Sequence, residues 1–280
     1  MRKVAIQGII GSYHDIAAHR YFEGEEIELI CCSTFEQVFR EMKEDSNVIG
    51  FLAIENTIAG SLLHNYELLR ESGMKVVGEH KLRISHSLVC LPGDDWDDIK
   101  EVNSHPVALM QCREFLNRHP RLKIVEGEDT AGSAEFISRE QLHGHAAICS
   151  KFAAPIYGMK ILEEGIETNK HNFTRFLVVS DPWQAEGLST ASKSDKASIV
   201  FYVSDTEGSL SQVLSILSFY RINMTKIQSL PIIGREWEYM FYLDVTYNDY
   251  TRYRQSIDAI RPLTRELRIL GEYKNGKSTL

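Results

Sequence analysis

A repeated unit of apolar strand, small polar residue and amphipathic helix most constrains what residues 1–180 can fold into. Residues 122–125 lead to Asp129 and Thr130, which open one helix, and residues 146–149 lead to Ser150, which opens another. Residues 48–54 form a continuous apolar run, which is typical of a strand buried on both sides of a parallel sheet. These units predict an α/β layered fold, in which ligands lie at the carboxyl ends of strands beside helix N-termini.

The remaining chain predicts a second domain. A length of 280 residues exceeds what one hydrophobic core usually organises. Residues 181–197 are small and polar without periodicity and predict a linker, so the domains are 1–180 and 198–280. After the linker the pattern restarts as β-α-β-β-α-β, the split βαβ arrangement. Its hairpin, residues 224–233 and 237–247, should place alternate residues on one face, namely Trp237, Tyr239, Phe241, Leu243, Val245 and Tyr247.

Composition excludes several classes of partner. The net charge of -8 argues against a protein that binds nucleic acid or membrane surfaces, because both need a basic field. Neither a signal peptide nor an apolar run of membrane-spanning length is present, which predicts a cytoplasmic protein. Gly8 and Gly11 do not form G-x-G-x-x-G, and the His and Cys residues lack metal-ligand spacing. The sequence therefore calls for no metal and no other cofactor.

Polar residues at predicted strand ends are the first candidates for chemistry, and each has a simpler interpretation. Glu55 and Asn56 follow the buried strand and would also suit a plain turn. Ser104 and Thr130 lie where a helix cap alone would explain them, and Gln111 would also suit a solvated helix face. Taken singly, these residues favour the simpler interpretation.

The segment from Asn172 to Phe176 is harder to explain as structure alone. It precedes an apolar strand, so Thr174 and Phe176 should point to one face and Arg175 to the other. A strand entry with one exposed Arg is the alternative. A small anionic substrate would use Arg for bidentate carboxylate recognition, Thr as a hydroxyl donor and Phe to exclude water.

These motifs, in this order, resemble those of the prephenate dehydratase family. The resemblance covers Gly8-x-x-Gly11-Ser12-Tyr13, Glu55-Asn56-Thr57, Ser104-x-Pro106 with Gln111-Cys112, Asp129-Thr130-Ala131, residues 146–157, and Asn172-x-Thr174-Arg175-Phe176. It implies a catalytic region of two α/β lobes around a cleft, like periplasmic binding proteins. The implied enzyme is a carbon-oxygen lyase that converts prephenate to phenylpyruvate in L-phenylalanine biosynthesis, without a cofactor.

Residue roles follow from the same resemblance. Thr174 is the expected catalytic residue, as a hydrogen-bond donor to the departing oxygen. The expected substrate-binding residues are Glu55, Asn56, Ser104, Gln111, Thr130, Asn172, Arg175 and Phe176. Two positions depart from the family pattern, because His14 stands where Ser is usual and Ala53 where Pro is usual.

The carboxy-terminal domain is similar to an ACT regulatory domain, which has a ferredoxin-like βαββαβ fold. The resemblance implies L-phenylalanine as allosteric ligand and a homodimer or homotetramer formed through these domains. The expected regulatory residues are Gly208, Ser209, Leu210, Asn223, Ser229 and Pro231. Gln228 and Leu230 replace the usual Glu and Arg of the motif, which bears on the strength of phenylalanine binding.

Two other functions stay open from sequence. An arogenate dehydratase would perform the same chemistry on the aminated substrate. A non-enzymatic sensor of small anions would use the same two-lobed fold, but it would not need a hydroxyl beside Arg175. No chorismate mutase segment is present, which predicts a monofunctional chain.

Overall fold

A computed structural model describes residues 1–188, 194–232, 238–276 and 278–279. These residues divide into two compact units. Unit 1 comprises Met1–Leu68, His80–Leu177 and residues 278–279, and unit 2 comprises Leu69–Glu79 and Val178–Gly276. The predicted domain limits at 180 and 198 remain a prediction, and residues 69–79 group with the carboxy-terminal residues.

Strands and helices alternate through the first 180 residues, as predicted. In chain order they are β1 (Arg2–Gln7), α1 (Tyr13–Tyr21), β2 (Ile27–Cys32), α2 (Phe35–Glu44), β3 (Ile49–Asn56), β4 (Gly60–Ser61), α3 (Leu63–Ser72), β5 (Lys75–Arg83), β6 (Ser87–Cys90), β7 (Glu101–Ser104), α4 (Pro106–Gln111), α5 (Arg113–Arg118), β8 (Lys123–Glu126), α6 (Thr130–Arg139), β9 (His145–Cys149), α7 (Ala153–Ile156), β10 (Lys160–Glu164) and β11 (Phe173–Ser180).

The rest of the chain carries a second set of elements. They are α8 (Pro182–Leu188), β12 (Lys196–Tyr202), α9 (Ser209–Phe219), β13 (Asn223–Pro231), β14 (Tyr239–Thr246), α10 (Tyr250–Ile260), a 3-10 turn (Arg261–Leu263), β15 (Arg265–Tyr273) and β16 (Ser278–Thr279).

Two sheets organise the amino-terminal region. The first has the order β16-β5-β11-β3-β1-β2, with β4 paired to β3, and β1 runs parallel to both β2 and β3. Strand β3 is buried along nearly its whole length, as its apolar run predicts. The second sheet has the order β10-β6-β9-β7-β8, and the apolar core of its lobe includes Leu88, Phe115 and Ile148. The predicted α/β fold of two lobes is therefore confirmed.

Unit 2 contains the predicted βαββαβ fold. Its sheet has the order β13-β14-β12-β15, with all described pairings antiparallel, and α9 and α10 contribute to one core. The predicted alternation on β14 is confirmed, because Leu243 and Val245 lie in that core and Phe241 packs against it. The hairpin residues Ile233 and Trp237 lie outside the described residues.

A helix occupies part of the segment predicted as a linker. Residues 182–188 form helix α8, in which the Trp183 N–H donates to Asp181 Oδ1 (2.9 Å) and the Ala185 N–H to Asp181 O (2.8 Å). A helix of seven residues is too short to show a hydrophobic period, so the sequence pattern missed it. Strand β12 begins at Lys196, whereas the predicted domain begins at residue 198. The Lys196 ammonium is buried, and Glu79 pairs with it at 2.8 Å.

Within the described residues, no helix combines the length and apolar character needed to cross a membrane.

Candidate active site

A cavity of about 360 Å³ opens in unit 1 where the predicted polar residues meet. Five predicted site residues line it, namely Asn56, Gln111, Thr130, Thr174 and Phe176. Other lining residues, which were not predicted to bind substrate, include Ser12, Tyr13, His14, Ala53, His86, His105, Glu128 and Asp129. Residues from the two lobes therefore line one cavity, and its volume is within the range of small-molecule binding sites.

The loop between β1 and α1 supplies one side of this cavity. Gly8 and Gly11 have φ angles of 102° and 85°, a backbone conformation that residues other than glycine rarely adopt. A Cβ on Gly11 would also lie 3.1 Å from Ala153 Cα. The turn brings Ser12 to the N-cap of α1, where its Oγ accepts from the Asp15 N–H (3.3 Å). The first turn of α1 then places Tyr13 and His14 at the cavity.

Two backbone N–H groups fix the orientation of the Asn56 side chain. The N–H groups of Ile58 and Ala59 donate to Asn56 Oδ1 (2.9 and 2.8 Å). Because a backbone N–H can only donate, that atom must be the amide oxygen and Nδ2 must be the donor. Asn56 Nδ2 then donates to Asn172 Oδ1 (2.8 Å) and to Thr174 Oγ1 (3.0 Å).

The orientation of Asn56 determines the donors and acceptors of its neighbours. Asn172 Oδ1 accepts from Asn56, so Asn172 Nδ2 is the donor to Gln111 Oε1 (2.8 Å). Gln111 Nε2 returns a hydrogen bond to Asn56 Oδ1 (3.2 Å). Asn172 is fully buried and does not line the cavity, so it supports the other two amides. The three amides form a closed ring of neutral hydrogen bonds, which rigidifies a buried site.

Thr174 lies at the end of this network with its proton uncommitted. Its Oγ1 accepts from Asn56, and no residue of the described chain accepts its own O–H. A Thr hydroxyl carries one donor proton besides its lone pairs. The cavity-facing hydroxyl is therefore available to donate to a bound molecule.

His86 and Tyr13 extend the network, and the predicted binding residues did not include them. His86 Nε2 lies 2.8 Å from Gln111 Oε1, which can only accept, so Nε2 carries a proton. Burial lowers the pKa of His86 and favours the neutral ring, in which Nδ1 can only accept. The Tyr13 hydroxyl lies 2.8 Å from both His86 Nδ1 and Ser85 O, so its single proton has two competing acceptors. The residue has no motif around it, so the sequence offers no signal for its role.

Arg175 and Glu55 lie on the opposite face of their strands from the cavity. Arg175 Nη1 and Glu55 Oε1 are 3.2 Å apart, the Arg175 side chain is only 6% exposed, and neither residue lines the cavity. Strand alternation, which the sequence predicts, places Thr174 and Phe176 at the cavity and Arg175 away from it. Arg175 is therefore buried, which contradicts the alternative of an exposed Arg at a strand entry. Its position away from the cavity does not support the expected contact with a substrate carboxylate.

The predicted helix starts differ in detail from the observed ones. Ser104 ends β7, and its Oγ donates to Ile148 O (2.6 Å), so it does not line the cavity. His105 is the N-cap of α4, because Pro106 occupies the first helical position. Asp129 caps α6 by accepting from the Gly132 N–H (2.7 Å), and Thr130 begins that helix at the cavity.

The cavity has an unusual charge distribution for an anion site. None of the described residues that line it is Lys or Arg, while Glu128 and Asp129 bring carboxylates. Burial lowers the pKa of His14 to about 4, so its ring is neutral near pH 7. An anion here must be held by neutral hydrogen-bond donors and by the first turns of α1 and α6.

A second cavity, of about 420 Å³, lies in unit 2. Gly208, Ser209 and Leu210 line it, with Leu214, Tyr239 and Phe241. Gly208 is the N-cap of α9 and has φ of 81°, which explains the glycine at this turn. The other expected regulatory residues, Asn223, Ser229 and Pro231, lie on β13 and are not among the described lining residues.

The family model described as prephenate dehydratase matches residues 4–183. The chain belongs to the prephenate dehydratase family. The match spans the motif residues at the first cavity and confirms the family assignment made from sequence. Prephenate dehydratase function, in phenylalanine biosynthesis, is thereby confirmed at the level of the family.

Relatives of the prephenate dehydratase family match nearly the full chain. A bifunctional chorismate mutase/prephenate dehydratase from Buchnera aphidicola is 32% identical, over 96% of this chain and 70% of its own length. The arogenate dehydratase 5 of Arabidopsis thaliana is 34% identical, over 97% of this chain and 67% of its own. A prephenate dehydratase from Arthrobacter aurescens, solved in complex with L-Phe, is 25% identical with a TM-score of 0.86, covering 98% of this chain and 90% of that one.

Proposed function

We propose that this chain is a carbon-oxygen lyase that converts prephenate to phenylpyruvate, carbon dioxide and water. The observation that carries the proposal is the Thr174 hydroxyl, held by Asn56 with its own proton directed to no other described residue. The reaction gains its driving force from aromatisation of the ring, so positioning and one donor suffice.

The proposed step needs one proton and no external electrons. The bond between the ring and its carboxylate breaks, carbon dioxide leaves, and the electron pair enters the ring. The bond between the ring and its hydroxyl breaks at the same time, and the oxygen departs as water after receiving a proton. Thr174 donates a hydrogen bond to this oxygen, which stabilises its developing negative charge. Solvent supplies the net proton, because Thr is a poor Brønsted acid.

The other cavity residues orient the substrate in this proposal. Asn56 holds Thr174, and Gln111 and Asn172 hold the Asn56 amide in turn. Phe176 covers the apolar side of the ring, and the first turn of α6 at Thr130 faces a carboxylate. Glu55, Ser104 and Arg175 contribute by supporting the strands that carry these groups.

The decisive experiment is an ultraviolet assay for phenylpyruvate with prephenate as substrate, run in parallel with arogenate. We expect kcat/KM to be higher for prephenate. Absence of turnover with both substrates, in a protein shown to be folded, would overturn the proposal. A higher kcat/KM for arogenate would replace it with the same chemistry on the aminated substrate.

We also propose that unit 2 is an ACT regulatory domain that binds L-phenylalanine. The support is the βαββαβ sheet and the cavity beside Gly208, whose lining combines apolar side chains with the hydroxyls of Ser204 and Ser209. An amino acid with an aromatic side chain has matching chemistry. The related enzyme from Arthrobacter aurescens, solved with L-Phe, favours the same ligand.

Calorimetry tests this second proposal. Millimolar L-phenylalanine should release or absorb heat on binding and should lower the rate of phenylpyruvate formation. D-phenylalanine provides the control, since it has the same composition with the wrong chirality. No heat and no change of thermal stability with the L-isomer would reject the regulatory role.

Assembly into a homodimer or homotetramer is the remaining part of the proposal. Strand β13 pairs on one side only among the described strands, and Met224 and Ile227 on it are exposed. An unpaired strand edge with apolar side chains is a template for pairing with a second copy. Sedimentation analysis would give the number of subunits, and a monomer at micromolar concentration would contradict the assembly.

A further inference from the structure

His14 and Ala53 are in direct contact. The Ala53 N–H donates a hydrogen bond to His14 Nε2 (3.3 Å). A proline at position 53 would have no N–H and could not make this hydrogen bond. The backbone of β3 therefore holds the ring of a residue from the first turn of α1.

The contact fixes the tautomer of the His14 ring. A backbone N–H can only donate, so His14 Nε2 must present its lone pair. In the neutral ring the proton then lies on Nδ1. No residue of the described chain accepts a hydrogen bond from His14 Nδ1, although the ring lines the cavity that contains Thr174. A neutral donor is therefore left without a protein acceptor at the substrate site.

Aromatic neighbours of the His14 ring favour its neutral form and restrict its orientation. Phe176 packs against it edge-on, with ring centroids 5.0 Å apart, and Phe35 lies at 5.6 Å. Apolar neighbours of this kind disfavour the imidazolium cation. The geometry thus combines a fixed tautomer with a fixed ring position, which is what a selective hydrogen-bond donor requires.

The cavity needs such donors. Its described lining contains no Lys or Arg, and Arg175 is paired with Glu55 outside it. A substrate with two carboxylates presents many acceptor oxygens and would otherwise meet Glu128 and Asp129. Each neutral N–H or O–H that reaches the cavity therefore has a large effect on affinity.

We propose that His14 Nδ1–H donates a hydrogen bond to an oxygen of the anionic substrate, and that the Ala53 N–H positions it by fixing the tautomer. The inference rests on the proposed dehydratase function. His14 is a substrate-binding residue in this assignment, and Ala53 is a positioning residue that acts through it.

Nitrogen NMR of the full-length protein, labelled at histidine, tests the tautomer directly. The His14 resonances, assigned by their loss in His14→Ser, should report a proton on Nδ1 and a lone pair on Nε2 in the wild-type protein. Adding a substrate analogue with two carboxylates should shift Nδ1 more than Nε2. A proton on Nε2, or an unmoved Nδ1, would overturn the proposal even if variants at Ala53 fail to fold.

Kinetics of three variants tests the function of the pair. His14→Ala should raise KM for prephenate about tenfold, the effect of one hydrogen bond to a charged group, and change kcat much less. His14→Ser, which restores the family's usual hydroxyl, should recover part of this loss. Ala53→Pro should raise KM in the wild-type background and have little effect in His14→Ser, because the ring that it positions is then absent.

The outcomes separate this inference from the dehydratase function. A wild-type protein that turns prephenate over, with KM unchanged in His14→Ala, would refute the role of His14 and leave the function intact. Additive effects of Ala53→Pro and His14→Ser would refute the positioning role. A wild-type protein without turnover would reject the dehydratase function, and the NMR result would still decide the tautomer.

Discussion

At the scale of single residues, the site depends on which atoms donate and which accept. Asn56 has its amide oriented by the N–H groups of Ile58 and Ala59, so it presents a donor to Thr174 before any substrate arrives. Because Thr174 Oγ1 accepts from a neutral amide, its own proton is available to the substrate without a neighbouring charge. Such preorganisation lowers the reorganisation needed during the reaction.

Removing the Thr174 hydroxyl should therefore lower turnover without unfolding the protein. We expect Thr174→Ala to lose at least about two decades of kcat, the low end of general-acid effects. Thr174→Ser keeps the hydroxyl and is the matched control, with a loss of less than about tenfold. Steady-state assays with prephenate measure both. Near wild-type turnover in Thr174→Ala would contradict the assigned role.

The partly buried ring of His14 should make stability depend on pH. Its pKa falls from 6.5 to about 4 on folding, so between these values the unfolded chain binds a proton that the folded chain does not. The contribution of His14 to the free energy of unfolding is present above pH 6.5 and is lost as pH falls towards 4. His14→Ser should lose less stability between pH 7 and pH 5 than the wild type, as measured by urea unfolding at both pH values.

The exposed His171 gives the matched control for that measurement. His171→Ser should follow the wild-type dependence on pH. Equal pH dependence in His14→Ser and wild type would show that the His14 ring is accessible to protons in the folded state.

At the scale of elements, the amides of Asn56 at the end of β3, Gln111 at the end of α4 and Asn172, which immediately precedes β11, meet in a ring. Gln111 at the end of α4 is held by His86, which immediately precedes β6, so the second lobe sets the position of the amide that closes the ring. A change at Gln111 should therefore affect Thr174 through Asn56, although Gln111 and Thr174 share no hydrogen bond in the described chain.

Gln111→Glu tests this transmission. An ionised carboxylate cannot donate to Asn56 Oδ1, which the backbone holds as an acceptor, so two acceptors would face each other. We expect kcat to fall roughly tenfold at pH 8 and to recover relative to the wild type as pH falls, because a protonated Glu restores the donor. Gln111→Met, which cannot titrate, is the control and should show no recovery.

The sequence predicted the elements well and the orientation of side chains less completely. Period-2 alternation was enough to place Thr174 and Phe176 opposite Arg175. It could not show that Glu55, on a neighbouring strand, would pair with Arg175, because that contact depends on sheet order. Helix α8 and the N-cap His105 were missed for a local reason, since short helices and caps by histidine leave weak patterns. His86 was missed because its role comes from long-range packing alone.

At the scale of the whole molecule, each unit holds a buried cation in an ion pair between two strands. Arg175 pairs with Glu55 in unit 1, and Lys196 pairs with Glu79 in unit 2. Glu79 Oε1 also accepts from the Gly276 N–H (2.9 Å). The pair between Lys196 and Glu79 connects residues 69–79 to the sheet of the same unit, and its carboxylate satisfies an ammonium at the start of a buried strand.

Breaking this pair should destabilise the chain strongly. Lys196→Met leaves the Glu79 carboxylate buried without its cation, which typically costs about 3–5 kcal/mol of unfolding free energy. Lys274→Met removes the exposed partner of Asp195 and should cost less than about 1 kcal/mol. Denaturant unfolding of both variants measures the difference. A small effect of Lys196→Met would mean that Glu79 takes up a proton at little cost.

The absence of Lys and Arg from the described lining of the first cavity has a consequence for encounter rates. A protein of net charge -8 repels a dianion at long range, and the described cavity wall offers no fixed cation to reverse that field locally. Arrival of substrate should therefore quicken as ionic strength rises and the Debye length shortens. Sites built on arginine clamps show the opposite kinetic salt effect. We therefore expect kcat/KM to rise with ionic strength when approach against repulsion limits capture, and retention to depend on hydrogen bonds formed only at contact.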